Sequence, residues 1–366
     1  MAEQINLKNL DKSNWKTYRF DQIAFNISER VDPNNTDLEV YVGLEHIDSE
    51  SIHLKRHGSA DDVNGQKLRF YPGDIIFGRR RAYQRKAALA EMDGFCSAHA
   101  LVLRANPEVI DQELFPFFLH SDQFMHRAVD ISVGSLSPTI NWGTLKHEEF
   151  LLPPKEQQEE FLQLLIASDK YIQKLNSLKF QIDVITKSIS ATFLQKYRQK
   201  DSIKLGAVCT PKQWKTIASK ELDDDGEYLV YGGNGVIGKY FQYNHDAPVI
   251  AISCRGENCG YVHLTKPKSY ITGNSMCLDN LDETVFNQKF LFYVLYYLNL
   301  DGMVTGSAQP QIVKSDVERF KVNLLSLSKQ EKFVQKLDSL WNQKENLKSQ
   351  LDDSKYLLKS FINKVF

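Results

Sequence analysis

The sequence predicts an α/β (α+β) protein with an internal repeat: two mixed domains separated by an antiparallel two-helix coiled coil, the halves related by a pseudo-two-fold. Two observations predict it. An offset of 172 positions aligns the halves without a gap, pairing Gly134 with Gly306, Ser135 with Ser307, Pro138 with Pro310 and Ile140 with Ile312. It also pairs Gln158-Glu159 with Gln330-Glu331, Phe161 with Phe333, Gln163 with Gln335, Leu165 with Leu337 and Lys187-Ser188 with Lys359-Ser360. A period that long marks a duplicated unit of domain size, not a solenoid. The second observation is heptad spacing of apolar residues in the stretches that follow Phe161 and Phe333.

From Phe333 the 4-3-4-3 frame collects Leu337, Leu340, Lys344, Leu347, Leu351, Ser354, Leu358, Phe361 and Val365. Shifted back by 172, it collects Phe161, Leu165, Ser168, Ile172, Leu175, Lys179, Ile182, Thr186, Ile189 and Phe193. Polar interruptions face apolar residues in the other copy, among them Lys344 against Ile172, Ser354 against Ile182, Lys179 against Leu351 and Ser168 against Leu340. That is the pattern of two helices sharing one seam, with polar exceptions setting register. Pro153-Pro154 suits the start of the first helix. Ser328 with Glu331 reads as a capping box for the second.

The expected boundaries are 1–152 for the first mixed domain, 153–199 for the central helix, 200–326 for the second domain and 327–366 for the last helix. In the first domain Val40–Leu44, Asp74–Phe77, Ala87–Ala90 and Ala98–Leu103 read as strands between turn signals such as Asn64-Gly65, Pro72-Gly73 and Asp93-Gly94. In the second, Tyr228–Tyr231, Pro248–Ser253, Tyr261–Leu264 and Ser275–Leu278 do the same. A helix near Glu113–Ala128 matches one near Phe286–Leu298. The two domains differ from each other far more than the two helices do.

With 366 residues, 42% hydrophobic and 25% charged, the chain is long enough for two or three domains at about 150 residues each. No run of eighteen apolar residues is present, so no membrane span is expected, and the polar stretch from Met1 to Tyr18 lacks the core of a secretory signal. Five irregularly spaced cysteines fit free thiols in a reducing cytoplasm. The net charge of −1 means that any phosphate-binding surface must come from local segregation of charge.

Such segregation exists. Gly78-Arg79-Arg80-Arg81-Ala82-Tyr83-Gln84-Arg85-Lys86 carries five cations and no acid, between two apolar strands, and so reads as a projecting loop. Arginine forks suit phosphates and the guanine edge, and Tyr83 suits sugar or base. Lys55, Arg56, Lys67 and Arg69 add to this neighbourhood. In the second domain Asn234, Lys239, Arg255, Asn258 and Lys268 are the counterparts, and Arg255-Gly256 repeats the strand-then-basic-turn layout.

Catalytic patterns are weak. Gly233-Asn234-Gly235-Val236-Ile237-Gly238 fits a dinucleotide fingerprint by letter, but a strand-like aromatic run follows where a helix is required. Cys254, Cys259 and His263, or His53 and His57, lack the spacing of a metal site, so none is expected. His99 has no partner pattern that would make it a base. Glu156, Glu159 and Glu160 fall in the first turns of a helix, where carboxylates complement the dipole. No Walker loop, no zinc-protease motif, no nucleophile elbow and no Asn/Asp-Pro-Pro-Tyr tetrapeptide occurs.

Several segments resemble the specificity (S) subunits of type I restriction-modification systems. They are Gly73-Asp74-Ile75-Ile76-Phe77 through Val102-Leu103-Arg104, Tyr231 to Gly238 with Arg255-Gly256, and the two Gly-Ser…Pro…Ile stretches. Each of the latter leads into Leu-Pro-Pro-Lys-Glu-Gln-Gln or Leu-Ser-Lys-Gln-Glu. The resemblance implies two target-recognition domains, each reading half of a split double-stranded DNA site, in a non-catalytic cytoplasmic subunit without its own cofactor. It further implies two adenine-N6 methyltransferase subunits using S-adenosylmethionine, and restriction/translocase subunits using ATP and Mg. A protein-interaction scaffold is the alternative expectation. Helices of about 40 residues span ~60 Å, which places half-sites less than two duplex turns apart. Inserting one or two helical turns after Leu175, matched near Leu347, should therefore lengthen the unspecified DNA spacer without altering either half-site. Methylation mapping reads this directly, and an unchanged spacer would refute the ruler.

Overall fold

The computed structural model describes residues 10–197, 201–298, 300–306 and 310–366. The first nine residues of the expected polar start, and Ser307 of the repeat pairing, lie outside them. The chain divides into two compact units, Met1–Asn176 with Ser349–Phe366, and Ser177–Lys348. Both boundaries fall inside long helices, Lys155–Lys196 (the central helix) and Leu327–Val365 (the C-terminal helix).

In the first unit Lys16–Arg19 pairs antiparallel with Glu149–Leu152, closing the ends of the domain together just before the central helix. A four-stranded antiparallel sheet follows the order Ala24–Ile27, Ala100–Ala105, Ile75–Gly78, Ala87–Leu89. Its inner strand Ile75–Gly78 is a continuous apolar run because both its faces are covered. Ile75, Phe77, Leu101 and Leu103 enter the cluster holding the helices. Ile76, Ala88, Ala100 and Val102 enter another, beneath a five-stranded sheet of Arg30–Val31, Lys67–Phe70, Gly94–Cys96, Val40–Val42 and Gly58–Ser59.

The second unit repeats this frame. Ser202–Lys204 pairs with Lys321–Asn323, and the four-stranded order is Thr210–Gln213, Ser275–Asp279, Ile250–Ser253, Val262–Leu264. Ile250, Ile252, Met276 and Leu278 face the helices, while Ala251 and Cys277 face the other way. Here the second layer is a three-stranded sheet of Gly235–Tyr240, Tyr228–Gly232 and Tyr270–Ile271. The duplicated frame is thus one sheet, one strand pair and the helices. The second sheet is what differs.

A buried glutamine ties each helix to its domain. Gln158 Nε2 donates to Val109 O and Pro153 O, both at 2.9 Å, and its Oε1 accepts from Asp111 N at 2.8 Å. Gln330 does the same with Val285 O, Leu325 O and Asn287 N, all at 2.8 Å. The sequence identity at this pair therefore preserves a fully satisfied buried amide, which is costly to leave half-bonded.

Within each unit the start of one long helix packs on the end of the other, so the pairing is antiparallel. Phe161 and Leu165 share a core with Ile362, Val365 and Phe366, and the Phe366 ring meets Phe118 at 5.2 Å. In the second unit Phe193 stacks on Phe333 at 4.0 Å, and Lys344 pairs with Asp183 at 2.5 Å. Ile172, Leu175, Leu337 and Leu351 are buried, and Ile182, Ile189, Leu340, Leu347, Leu358 and Phe361 are half-buried.

Three local expectations need correction. The helix near Glu113–Ala128 is two helices, Phe115–Leu119 and Asp122–Asp130, because Ser121 leaves the helical conformation and caps the second by accepting from Phe124 N at 3.2 Å. The strand from Val40 ends at Val42, and Leu44 begins a 3₁₀ turn. Ser328 lies inside the first turn of the C-terminal helix, whose first bonds go to Ser326 O.

His120 sits at that helix break, enclosed, with Nε2 donating to Ala87 O at 2.8 Å. Burial pushes its pKa from 6.5 down to about 4. The unfolded chain takes up the proton near 6.5 and the folded chain only near 4, so stability falls as pH drops through that window. The slope is at most about 1.4 kcal/mol per pH unit. Replacing His120 with Gln should flatten this part of the pH dependence in urea melts while leaving a folded protein at pH 7.

Candidate nucleic-acid interface

The strand Ile75–Gly78 delivers Arg79, Arg80 and Arg81 to a turn that packs on the loop carrying Gly134, Ser135 and Pro138. Arg79 O accepts from Ile140 N at 2.8 Å, Arg81 N donates to Pro138 O at 2.7 Å, and Arg80 bridges Thr139. The Arg80 guanidinium donates to Ser137 Oγ at 2.9 Å. The loop is itself closed by reciprocal bonds between Val133 and Thr139, at 3.0 and 2.9 Å.

The second unit builds the same joint. Cys254 O accepts from Ile312 N at 3.1 Å, Arg255 bridges Gln311, and Thr305 and Gln311 exchange bonds at 2.8 Å. Thr139 and Gln311, Ile140 and Ile312, Val133 and Thr305 are all 172 apart, so these residues of the repeated stretches form the clamp that seats each turn. Arg80 corresponds to Arg255, and Arg81 to Gly256. The residues of this second pair adopt positive φ, 58° at Arg81 and 77° at Gly256. Glycine takes that conformation freely, whereas a side chain there costs about 1–2 kcal/mol.

Arg80, Arg81, Tyr83 and Lys55 are exposed and Arg79 is half-buried. Three other candidates are engaged inside the domain, correcting the expectation of one freely projecting run. Arg85, with its side chain only 17% exposed, pairs with Asp122 at 2.6 Å and Glu50 at 3.4 Å and donates to His120 O at 3.1 Å. The Glu50 carboxyl is held below its usual range, chiefly by the hydrogen bond from Lys359. Lys86 Nζ donates to Leu44 O at 2.6 Å, and Arg69 pairs with Asp93 at 3.2 Å while lying on the Tyr71 ring. The run itself has no acid, but the fold brings in acids from elsewhere in the chain.

In the second unit Asn258 Nδ2 donates to Asn234 Oδ1 at 2.9 Å, which puts Asn234, Arg255 and Asn258 in one place at the end of a hairpin. Gly235 and Gly238 lie in its returning strand, Gly235–Tyr240, and no helix follows, so the fingerprint letters are a hairpin. Lys239 is exposed and donates to Asp224 O at 3.2 Å. Cys254, Cys259 and His263 do not converge. Among the described residues the one triad of ligand-type atoms within 4.8 Å is His245, Cys277 and Asp279. Two of the three are already hydrogen-bonded, Asp279 accepting from His245 at 3.0 Å and Trp214 at 3.1 Å, and burial pushes the Cys277 thiol up.

Residues 198–353 match the family model of the type I restriction modification DNA specificity domain. The chain is 28% identical over 185 residues to the Escherichia coli type I restriction enzyme EcoDI specificity subunit, 49% of this chain and 41% of that protein. It is 27% identical over 118 residues to the EcoprrI specificity subunit of the same organism, 31% of this chain and 29% of that protein. The matched stretches span less than half of either relative. The S subunit of a type I restriction-modification system from M. genitalium has the same fold, with a TM-score of 0.67 at 18% identity over 98% of both chains. A chain from a study of complex assembly and conformational transition of the type I R-M system gives 0.55 at 20% identity, covering 96% of this chain and 97% of that one. Domain match, relatives and fold all support the resemblance to type I specificity subunits carried by the sequence.

The paired turns permit a direct check on backbone strain. Nothing lies within 4 Å of a Cβ built on Gly256, so Gly256→Ala should cost only the conformational strain, about 1 kcal/mol in a denaturant melt. Arg81→Gly should stabilise by about 0.5–1 kcal/mol for the converse reason.

Proposed function

We propose that this chain is the DNA sequence-specificity subunit of a type I restriction-modification complex, a non-catalytic reader of a split double-stranded site. Each unit presents one basic turn, Arg79–Arg81 with Tyr83 and Lys55 in the first, Asn234, Lys239, Arg255 and Asn258 in the second. Each turn addresses one half-site. The long helices set the spacer and dock two adenine-N6 methyltransferase subunits. S-adenosylmethionine, ATP and Mg belong to those partners and to the restriction subunits. The observation that carries the reading is the clamped turn, built twice with the backbone bonds of Ile140 and Ile312 and of the Val133–Thr139 and Thr305–Gln311 pairs in common, and with different side chains. Two such turns suit two different half-sites.

Arginine is the side chain of choice for bidentate contact with guanine and phosphate, and paired amides such as Asn234 and Asn258 match adenine. Arg85, Lys86 and Arg69 serve in this reading as supports, since their charges are already engaged within the fold. A protein-interaction scaffold would need none of this and would hold DNA without a steep salt response. Coexpression with its methyltransferase and mapping of methylated adenines should yield a two-part site. In duplex-retention assays the triple change of Arg79, Arg80 and Arg81 to Ala should weaken binding. It should also lower the log–log salt slope by about 0.9 for every phosphate no longer neutralised. A slope that stays near zero in the unaltered chain would refute DNA reading outright.

A further inference from the structure

The duplication exposes one difference that the DNA reading does not use. In each unit the last strand of the four-stranded sheet is an edge. In the first unit Gly78 N donates to Lys86 O and Ala90 N to Asp74 O, both at 2.8 Å, which fixes the alternation of that antiparallel pair. Ala87 and Leu89 then turn their backbone groups away from the sheet. Both are satisfied by the unit itself. His120 Nε2 donates to Ala87 O at 2.8 Å, and Leu89 N donates to Ile52 O at 2.9 Å, with His53 bridged parallel to Leu89. His53 is anchored in turn by Asp169 of the central helix at 2.8 Å.

In the second unit Thr265 N donates to Val249 O at 3.0 Å and Ser253 N to Tyr261 O at 2.7 Å, so Val262 and Leu264 occupy the outward positions. The Val262 carbonyl and the Leu264 N–H have no partner among the described residues. The counterpart of His120 is Tyr296, aligned by the Asp111 and Asn287 amides that bond Gln158 and Gln330, and it makes no bond to the strand. No segment among the described residues takes the place of Ile52-His53. A cavity of about 730 Å³ lies along this edge instead, walled by Tyr231, Tyr261, His263, Phe292, Tyr296 and Trp341. His263 Nε2 is buried there without a partner, and Tyr261 is 57% exposed. Trp341 stands 172 residues after Asp169, so an aromatic face replaces the carboxylate that holds His53.

We infer that the edge strand Val262–Leu264 takes an extended peptide segment of another polypeptide, added as a further parallel strand. The first unit shows what fits such an edge: a short β segment with an aliphatic residue at the Ile52 position and a ring at the His53 position. In a parallel ladder one peptide residue at the Ile52 position accepts from Leu264 N–H and donates to Val262 O, satisfying both open groups. Its neighbour stacks on Trp341, and the aromatic walls enclose the side chains. Because the first unit closes its own edge, the site occurs once per chain. It binds one segment, unlike any partner that reads the repeated frame twice.

The probe is the synthetic peptide Ser-Glu-Ser-Ile-His-Leu-Lys, the sequence of residues 49–55, titrated into the full chain. Without peptide, the Leu264 amide should exchange its hydrogen much faster than the Leu89 amide. Saturating peptide should slow Leu264 at least about tenfold, comparable to capture in a hydrogen-bonded edge, with one site per chain and a shift in Trp341 fluorescence. Leu264→Pro, which removes the donor at an edge position where proline is tolerated, should abolish the effect. Tyr261→Ala alters an exposed wall without touching the core and should weaken binding several-fold. DNA retention by both variants should match the unaltered chain. Equal protection of Leu264 and Leu89 in the free chain, protection that arises from self-association alone, no slowing with peptide, or undiminished binding by Tyr261→Ala would each overturn the inference.

Discussion

The constraint on which the structure rests is the apolar seam of two helices that no single domain could cover. A helix of 42 residues with buried positions along one stripe is unstable alone, and most helical stability in water comes from packing that stripe. The chain solves this by giving each unit one end of each helix. Phe366 closes the Phe118 and Phe150 cluster of the first unit, while Phe193 lies between Phe333 and Phe290 in the second. Burying one such ring is worth roughly 1.5–3 kcal/mol. Neither unit's core is complete without residues from the other half of the sequence.

The divergence between the halves follows from the same packing. The inner strands of each four-stranded sheet are buried on both faces, so Ile75-Ile76-Phe77 and Ile250-Ala251-Ile252 are held to apolar residues by two cores at once. The outer layer is free of that double demand. It is five strands in one unit and three in the other, and the loops it supports differ accordingly.

Much of this was legible because apolar periodicity is a local signal. The offset of 172, the heptads and the buried runs each declare themselves within a few residues of sequence. The strand after Gly238, rather than a helix, was likewise visible in Lys239-Tyr240-Phe241. What could not be read was charge pairing. Arg85 looked free in its acid-less run, yet Asp122 and Glu50 reach it from 35 or more positions away, and Asp93 reaches Arg69 from 24. Such pairs depend on tertiary proximity and leave no periodic trace. Ser121 misled in the opposite way: an apolar stretch hid a capping serine, and the cap outweighed the propensity of its neighbours. Ser328 reads as the start of the last helix, yet the first helical bonds go to Ser326 O, with Gln330 held by Val285 O and Leu325 O.

The shared geometry of the two basic turns lies in backbone atoms, not side chains. Arg79 O with Ile140 N, and Cys254 O with Ile312 N, use groups that every residue but proline supplies. The positive φ of the next turn position is met by glycine in one copy and by a strained arginine in the other. A frame fastened this way holds its turn in place whatever side chains the turn displays. Placement and side-chain identity are then separate: the clamp loop and the sheet fix where a turn sits, and its residues differ between the copies, Arg79 against Cys254 and Arg81 against Gly256, without disturbing it. At this position glycine is the less strained choice by about 1–2 kcal/mol, so the arginine at Arg81 is not dictated by the backbone of the turn.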